Sequence, residues 1–186
     1  MRILLMGPPG AGKGTQAALL AQQLDVPHIS TGDIFRANVS QGTDLGKQAQ
    51  AFMDKGEYVP DDVTNAMVRD RLSWDDAVNG FILDGYPRTT AQVAELDSML
   101  ADAGTVLDVV VELHADSDVL VDRLVKRAAD QGRSDDDPSV IRRRLEVYAE
   151  QTAPLLDLYQ SRGLLRGIDG IGEIADVTAR LVAAVS

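Results

Sequence analysis

The chain has 186 residues and contains no cysteine. This absence excludes a disulfide framework and any zinc site held by cysteine, and it fits a protein of a reducing compartment. Aromatic residues account for only 4% of the chain. We therefore expect a core built from leucine, valine, isoleucine and alanine.

Residues of positive charge are also few. The chain has 18 lysines and arginines against 29 aspartates and glutamates, which gives a net charge of −11. Nucleic-acid polymers and anionic membranes repel such a chain, so we expect neither as a partner, although a small anion can bind where arginines converge. No apolar run approaches the ~20 residues that span a bilayer. The N-terminal residues show no signal-peptide pattern, and we expect a cytoplasmic protein.

Short apolar runs alternate along the chain with stretches of helical periodicity. The apolar runs lie at 3–6, 28–30, 81–83, 106–113 and 164–168. The helical stretches lie at 16–24, 61–72, 90–100, 117–129, 140–159 and 174–185, and Pro154 is expected to interrupt the fifth. This alternation predicts an α/β fold in which a parallel sheet is covered on both faces.

Two polar stretches interrupt the alternation and are expected to protrude from the core. The first, 31–59, opens with Thr31, which is expected to cap a helix that has Asp33 in its first turn and Arg36 one turn later. The second, 128–138, contains three consecutive aspartates at 135–137. Such an acidic run is either solvated surface or the partner of nearby arginines.

Residues 7–15, Gly-Pro-Pro-Gly-Ala-Gly-Lys-Gly-Thr, directly follow the first apolar run. A strand, a glycine-rich turn and a helix N-terminus in this order form a nest of N–H groups that binds phosphate, and Lys13 can reach the terminal phosphates of a nucleotide. The strict pattern has serine or threonine directly after the lysine, whereas here Gly14 intervenes. The nucleotide-binding candidates in this loop are Gly10, Ala11, Gly12, Lys13, Gly14 and Thr15.

The apolar run at 81–83 ends in Asp84, and the segment Gly85-Tyr86-Pro87-Arg88 follows. The carboxyl ends of parallel strands face the ligand crevice, so Asp84 is expected beside the phosphate loop, where it can hold Mg²⁺ directly or through water. The alternative is a turn aspartate without a ligand. Arg88 suits a second substrate that carries phosphate, since arginine binds phosphate oxygens in pairs.

Gln92 lies four residues after Arg88, so the two share a face if both are helical. Its amide offers a donor and an acceptor together, which matches the edge of a nucleobase. Taken alone, the position is that of an exposed helical residue.

Further arginines surround the second polar stretch. Arg123 and Arg127 are spaced to lie on one helix face, Arg133 lies within the stretch, and three arginines follow at 142–144. In a chain of this net charge, the clustering predicts a group that stabilises the charge of a transferring phosphoryl group. Ion pairs with the aspartates at 135–137 are the alternative interpretation.

Together these motifs resemble those of the adenylate kinases, members of the nucleoside monophosphate kinase family, over the whole chain. The family's phosphate loop has the same Gly-Lys-Gly-Thr, so the departure at Gly14 is itself a match. The other similar segments are 31–36, 84–88 with Gln92, 122–127, 132–137, 142–145, 152–156 and 168–170. The resemblance implies a P-loop nucleotide-binding fold with a central five-stranded parallel sheet, a small helical insert that binds the monophosphate, and a short lid.

The resemblance also implies an activity and a set of site residues. The activity is reversible transfer of a phosphoryl group from MgATP to AMP, and the enzyme would be a monomer. The phosphate loop, Arg123, Arg127 and the backbone of Gly172 would bind ATP. Asp84, with Asp33 through water, would position Mg²⁺. The residues implied for AMP are Thr31, Arg36, Met53, Glu57, Tyr58, Val59, Gly85, Tyr86, Pro87, Arg88, Gln92, Arg133 and Arg144. Lys13, Arg88, Arg123, Arg133 and Arg144 would act on the transferring group.

The implied organisation is one core made of residues 1–30, 60–126 and 138–186, with the insert at 31–59 and the lid at 127–137. Only five residues separate Arg127 from Arg133, which is similar to the short-lid form of the family.

Two other functions are compatible with parts of the pattern. A UMP/CMP kinase would tend to have asparagine in place of Gln92. A nucleotide switch would have serine or threonine after Lys13 and an Asn-Lys-x-Asp motif, which the sequence lacks.

Overall fold

The computed structural model describes residues 1–186, apart from the side chain of Ser134. Five strands form one sheet, namely β1 (Arg2–Met6), β2 (His28–Ser30), β3 (Phe81–Asp84), β4 (Val109–His114) and β5 (Leu165–Asp169). Every pairing between neighbouring strands is parallel, and the spatial order is β2-β3-β1-β4-β5. The first strand therefore lies in the middle, and its carboxyl end opens between β3 and β4.

Helices connect the strands. They are α1 (Lys13–Leu24), α2 (Thr31–Gln41), α3 (Asp44–Met53), α4 (Asp61–Leu72), α5 (Thr90–Asp102), α6 (Ser117–Gln131), α7 (Pro138–Val147), α8 (Pro154–Ser161) and α9 (Ile174–Val185). Short 3-10 turns lie at Asp75–Ala77 and Ser134–Asp136, and a π-helical turn at Tyr148–Thr152 joins α7 to α8. Among the described residues, no helix combines the length and apolarity needed to cross a membrane.

The core lies on both faces of the sheet because successive side chains of a strand point to opposite faces. Ile3 and Leu5 of β1 pack on one side with α1 and α9, while Leu4 and Met6 pack on the other with α4, α5 and α8. The predicted α/β fold, a five-stranded parallel sheet with helices on both faces, is confirmed.

Two predicted elements differ from the structure in their bounds. The strand predicted at 106–113 begins only at Val109, which pairs with Ile3, while Val106 is 72% exposed. The helix predicted at 140–159 is interrupted as expected, because Pro154 has no N–H to continue the helical hydrogen bonds. The interruption already begins after Val147, with the π-helical turn.

The helical insert has a small core of its own. Phe35, Ala49 and Val59 are buried together, and Met53 and Met67 pack against them. Since Met67 belongs to α4, this cluster joins the insert to the rest of the molecule. The prediction that Thr31 caps the helix at the start of the insert, α2, is wrong. The side chain of Ser30 accepts the Asp33 N–H at 3.2 Å and caps α2, which leaves the Thr31 hydroxyl for another contact.

Trp74 follows α4 on the outside of the molecule. Its side chain is 53% exposed, and the guanidinium carbon of Arg71 lies 4.5 Å from its ring centre.

Candidate active site

The glycine-rich loop joins the end of β1 to the start of α1. Gly10 has φ 88°, and a Cβ atom there would lie 2.8 Å from the carbonyl oxygen of Leu120, so only glycine fits. Gly12, with φ 98°, directly precedes α1. Lys13 Nζ donates to the carbonyls of Gly7 at 2.8 Å and Pro8 at 3.0 Å. The ammonium group therefore lies over the loop, above the helix N-terminus.

The segment after β3 brings Asp84 and Arg88 to the same edge of the sheet. Burial raises the pKa of Asp84, but nearby His28, Lys13 and Arg88 outweigh it and hold that pKa below its ordinary value. His28 Nε2 lies 3.6 Å from Asp84 Oδ2. The Asp84 carboxyl is therefore ionised at neutral pH.

Gly85 contacts both Thr31, at the start of α2, and Arg88, three residues later in its own segment. Its carbonyl accepts hydrogen bonds from the Thr31 hydroxyl at 2.9 Å and from Arg88 Nε at 2.6 Å. Its φ is 80°, and a Cβ atom would lie 2.8 Å from both Thr31 Oγ1 and Arg88 Nη2. A side chain at this position would separate Thr31 from Arg88. The peptide bond between Tyr86 and Pro87 is cis.

Gln92 is buried on the first turn of α5, contrary to the interpretation as an exposed helical residue. Its Oε1 accepts the Arg88 backbone N–H at 2.7 Å, and its Nε2 donates to Asp61 Oδ1 at 2.7 Å.

Two cavities open beside the carboxyl ends of β1 and β3. The residues predicted for the phosphate loop, together with Asp33, Asp84, Arg123, Arg127, Arg133 and Gly172, line one of them, which we call the loop cavity. The residues predicted for AMP, apart from Arg133, line the other, which we call the amide cavity because it contains Gln92. The charged residues common to both linings are Lys13, Arg36, Arg88 and Arg144. The boundary between the cavities is therefore basic.

The acidic run at 135–137 is divided between surface and interior. Asp135 and Asp136 are buried, and only Asp137 is exposed, where its side chain caps α7. Arg127 donates to both oxygens of Asp136, at 2.6 and 2.7 Å, and Arg144 Nη1 donates to Asp136 Oδ1 at 2.6 Å. Solvated surface is thus the wrong interpretation for two of the three aspartates.

Asp135 binds Arg133 with both oxygens, at 3.0 and 2.7 Å, and lies 3.2 Å from Arg144 Nη1. Burial raises the pKa of Asp135, but Arg133, Arg144 and Arg36 together hold it far below the ordinary value. The arginines and aspartates of the second polar stretch therefore form one ion-pair network. By contrast, Arg123 donates to the carbonyls of Ala11 at 3.4 Å and Gly170 at 3.1 Å.

Comparison with known proteins identifies the family of the chain. The family model described as adenylate kinase matches residues 5–164. An adenylate kinase of Thermobifida fusca (strain YX) is 60% identical over 185 residues, covering 100% of this chain and 98% of the relative. Adenylate kinases of Nocardioides sp. and Stenotrophomonas maltophilia (strain R551-3) are 58% and 51% identical, covering 100% of this chain and 97% and 99% of the relatives.

The chain belongs to the adenylate kinase family. It is therefore an enzyme, a nucleotide-binding kinase, and the earlier resemblance is confirmed at the level of the family.

Several contacts in the candidate site had no signal in the sequence. The Thr152 hydroxyl donates to the carbonyl of Arg88 at 2.9 Å, so the Tyr58 hydroxyl, 2.7 Å away, donates to Thr152. The Tyr58 ring lies 4.8 Å from the guanidinium carbon of Arg88. Tyr58 and Thr152 are 94 positions apart, and no local pattern connects them.

Proposed function

We propose that the protein transfers a phosphoryl group reversibly from ATP to AMP, which gives two molecules of ADP. The observation that carries this proposal is the boundary between the two cavities, where Lys13, Arg36, Arg88 and Arg144 are the shared charged residues. A group can pass from one nucleotide to the other only where the two cavities meet. Positive charge at that point stabilises the negative charge of a transferring phosphoryl group.

In this proposal ATP occupies the loop cavity. Its phosphates lie on the backbone N–H groups of residues 10–15, at the N-terminus of α1, and the Lys13 ammonium approaches the terminal phosphates. Arg123 and Arg127 contact the phosphates from the lid side. The backbone of Gly172 lies beside the adenine.

AMP occupies the amide cavity. Gln92 contacts the adenine edge, and Arg36 and Arg88 bind the phosphate. The hydroxyl of Thr31, the backbone of 57–59 and the segment 85–87 complete the site, with Met53 against the base. Arg144 belongs to both cavities, and Arg133 approaches from the loop cavity.

The transfer itself needs no base from the protein. An oxygen of the AMP phosphate attacks the γ-phosphorus of ATP in line, the new P–O bond forms, and the bond to the β-phosphate oxygen breaks to release ADP. A phosphate oxygen is already a nucleophile, so the side chains act by positioning and by electrostatic stabilisation. Lys13, Arg88, Arg123, Arg133 and Arg144 are the proposed catalytic residues.

The loop cavity also suits hydrated Mg²⁺. Asp84 and Asp33 both line this cavity, and the Asp84 carboxyl is ionised. The Asp33 carboxylate can accept hydrogen bonds from water molecules bound to the ion. Magnesium in proteins takes one or two carboxylates and completes its shell with water and phosphate. We propose that Asp84 holds the hydrated ion and that Asp33 contacts it through water. When bound, Mg²⁺ neutralises charge on the ATP phosphates.

Two segments are proposed to close over the substrates. They are the insert at 31–59 and the short lid at 127–137, and the remaining residues form the core. Closure would exclude water, which otherwise competes for the phosphoryl group. We further propose that the enzyme acts as a cytoplasmic monomer.

A coupled assay of ADP formation tests the function. The purified protein is mixed with ATP, Mg²⁺ and, in separate reactions, AMP, CMP, UMP or GMP. Activity confined to AMP is the expected result. Activity with CMP or UMP instead would keep the mechanism and overturn the base assigned to Gln92, while ATP binding without transfer to any acceptor would favour a nucleotide switch.

A further inference from the structure

The amide of Gln92 is held between two groups that cannot exchange roles. The Arg88 backbone N–H only donates, and it donates to Oε1 at 2.7 Å. The Asp61 carboxylate only accepts, and its Oδ1 accepts from Nε2 at 2.7 Å. Turning the amide by half a turn would place its NH₂ group against an N–H and its oxygen against a carboxylate. The chemistry of the two partners therefore fixes which end of the amide carries the oxygen.

Asp61 is itself held in place. The Thr89 hydroxyl donates to Asp61 Oδ2 at 2.8 Å, and the same hydroxyl accepts the Gln92 backbone N–H at 3.2 Å. Asp61 lies in the first turn of α4, and Gln92 lies in the first turn of α5. Each carboxylate oxygen thus has one partner, and two helix N-termini are joined through this side chain.

Gln92 lines the amide cavity. After its bonds to Arg88 and Asp61, its side-chain amide still has one N–H and one oxygen lone pair that a ligand can use. Adenine presents a 6-amino donor next to the N1 acceptor. Hypoxanthine presents a 6-keto acceptor next to an N1–H donor, which is the reverse order. An amide that turns freely serves both orders, whereas an amide of fixed orientation serves only one.

We propose that Asp61 is a specificity-determining residue, which positions the Gln92 amide so that the enzyme accepts a 6-aminopurine monophosphate and rejects the 6-keto analogue. This inference rests on the proposed function, in which Gln92 contacts the base of AMP. Asp61 acts through Gln92 and is a positioning residue.

The test compares AMP with inosine monophosphate as phosphoryl acceptors, since their bases differ only at this edge. In Asp61→Ala, the ratio of kcat/KM for AMP to kcat/KM for inosine monophosphate should fall about tenfold or more, because the amide loses the partner that fixes its nitrogen. Asp62→Ala is the matched control. It removes a neighbouring exposed carboxylate from the same helix turn, and its ratio should equal that of the wild type.

Two further variants separate positioning from damage to the fold. Asp61→Leu fills the space without an acceptor and should reproduce the fall, and it replaces the alanine variant if that chain does not fold. Asp61→Asn can present either its oxygen or its NH₂ group to Gln92, so its ratio should lie between those of the wild type and Asp61→Ala. A merely structural role would lower both rates equally and leave the ratio unchanged.

Each outcome is decisive for one of the two proposals. An unchanged ratio in Asp61→Ala and Asp61→Leu, in enzymes that still use AMP, overturns the role of Asp61 and leaves the function intact. A wild-type enzyme that does not distinguish the two acceptors overturns it as well. A wild-type protein that transfers nothing to AMP overturns the proposed function itself.

Discussion

Arg88 is held in the site by neutral groups. Its Nε donates to the Gly85 carbonyl, its guanidinium faces the Tyr58 ring, and its own carbonyl accepts from Thr152. Among the described residues, no carboxylate lies within 4.0 Å of its guanidinium nitrogens. Its charge is therefore not paired with a carboxylate, whereas Arg127, Arg133 and Arg144 have aspartate partners.

Replacing Arg88 with alanine should lower kcat by about 10³-fold or more, because a guanidinium that stabilises the transferring group contributes at that scale. The coupled assay measures the rate, and circular dichroism checks that the melting temperature is nearly unchanged. Arg162→Ala is the matched control, since Arg162 also lies over a tyrosine ring, that of Tyr159, and lines neither the loop cavity nor the amide cavity. Near-normal turnover in Arg88→Ala would remove Arg88 from the catalytic set.

The pKa of Lys13 predicts an alkaline limit of activity. Burial lowers this pKa to about 8, with Arg88, Arg144 and Arg127 acting in the same direction and Asp84 opposing them. Only the protonated amine attracts phosphate, so kcat/KM for MgATP should fall as the pH rises through about 8. Lys13→Arg keeps its charge and should give a flatter profile, at a lower rate. A wild-type profile that stays level to pH 10 would contradict this role.

The same group affects stability in the opposite direction. Between pH 8 and about 10.4 the unfolded chain binds a proton that the folded Lys13 has already lost. The Lys13 contribution to the free energy of unfolding therefore rises with pH in that interval. Urea titrations at the two ends of this pH interval measure the free energy of unfolding. They therefore show whether activity falls because Lys13 loses its charge or because the protein unfolds.

Sequence reasoning could select residues where the chemistry is local. Lys13, Asp84 and Arg88 could be chosen because a loop or a strand end presents them. Asp61 could not, since its partner Gln92 lies 31 positions away. The contacts of Thr152 with Tyr58 and Arg88 could not be predicted either, since they join positions 94 and 64 apart. Such contacts form only once the helices pack.

At the scale of elements, the short turn at Ser134–Asp136 decides between the two interpretations of the acidic run. A run of three aspartates usually marks solvated surface, yet Asp136 is completely buried among arginines of α6 and α7. The carboxylates hold Arg127, Arg133 and Arg144 side by side, where their mutual repulsion would otherwise separate them. The turn is thus the counter-charge that keeps three basic side chains at one site.

Replacing Asp136 with asparagine should destabilise the fold by about 2–4 kcal/mol, because it leaves arginine charges without their partner at a buried position. It should also slow turnover, since Arg127 and Arg144 lose their orientation. Chemical denaturation gives the first effect, and the coupled assay gives the second. Asp137→Asn is the control: it removes the same charge one position later, is exposed, and keeps a good helix cap. Equal effects of the two variants would exclude the proposed role of burial.

The boundaries of helices could be predicted only in part from sequence patterns. The helical periodicity of 140–159 is continuous in the sequence, and proline marks a break, but the π-helical turn that carries Thr152 to Arg88 has no periodicity of its own. Similarly, serine and threonine both cap helices, so residue type alone does not exclude either Ser30 or Thr31. The sheet decides between them, since β2 ends at Ser30 and places the Thr31 hydroxyl against Gly85.

For the molecule as a whole, the insert touches both the lid and the core helix that follows it. Arg36 Nη1 lies 3.8 Å from Asp135 Oδ2 in the lid, and Glu57 Oε1 lies 2.7 Å from Arg143 Nε in α7. The Glu57 and Arg143 side chains are more than a third exposed, so this pair adds little to stability. This exposed pair therefore opposes separation of the insert from α7 only weakly.

We expect the insert to move away from the lid when both cavities are empty and to approach it when both are filled. Since the chain has no cysteine, cysteines introduced at Ser40 and Asp130 can be labelled uniquely for fluorescence energy transfer. A bisubstrate analogue, with two adenosines joined by a phosphate chain, should shorten the distance between the labels. Labels at Gln22 and Ala101, both in the core, should report no change. Equal distances between Ser40 and Asp130 with and without the analogue would contradict closure.

The tyrosines and the tryptophan lie in different parts of the molecule, so their absorbance and fluorescence report on different surroundings. Three of its four tyrosines, Tyr58, Tyr86 and Tyr148, line the amide cavity, while the one tryptophan, Trp74, faces solvent beside Arg71. Light that excites tryptophan alone samples the outside of α4 and gives little response to substrate. Tyrosine absorbance and emission come largely from the cavity wall. Tyrosine emission should therefore respond to a ligand in that cavity more than tryptophan emission does.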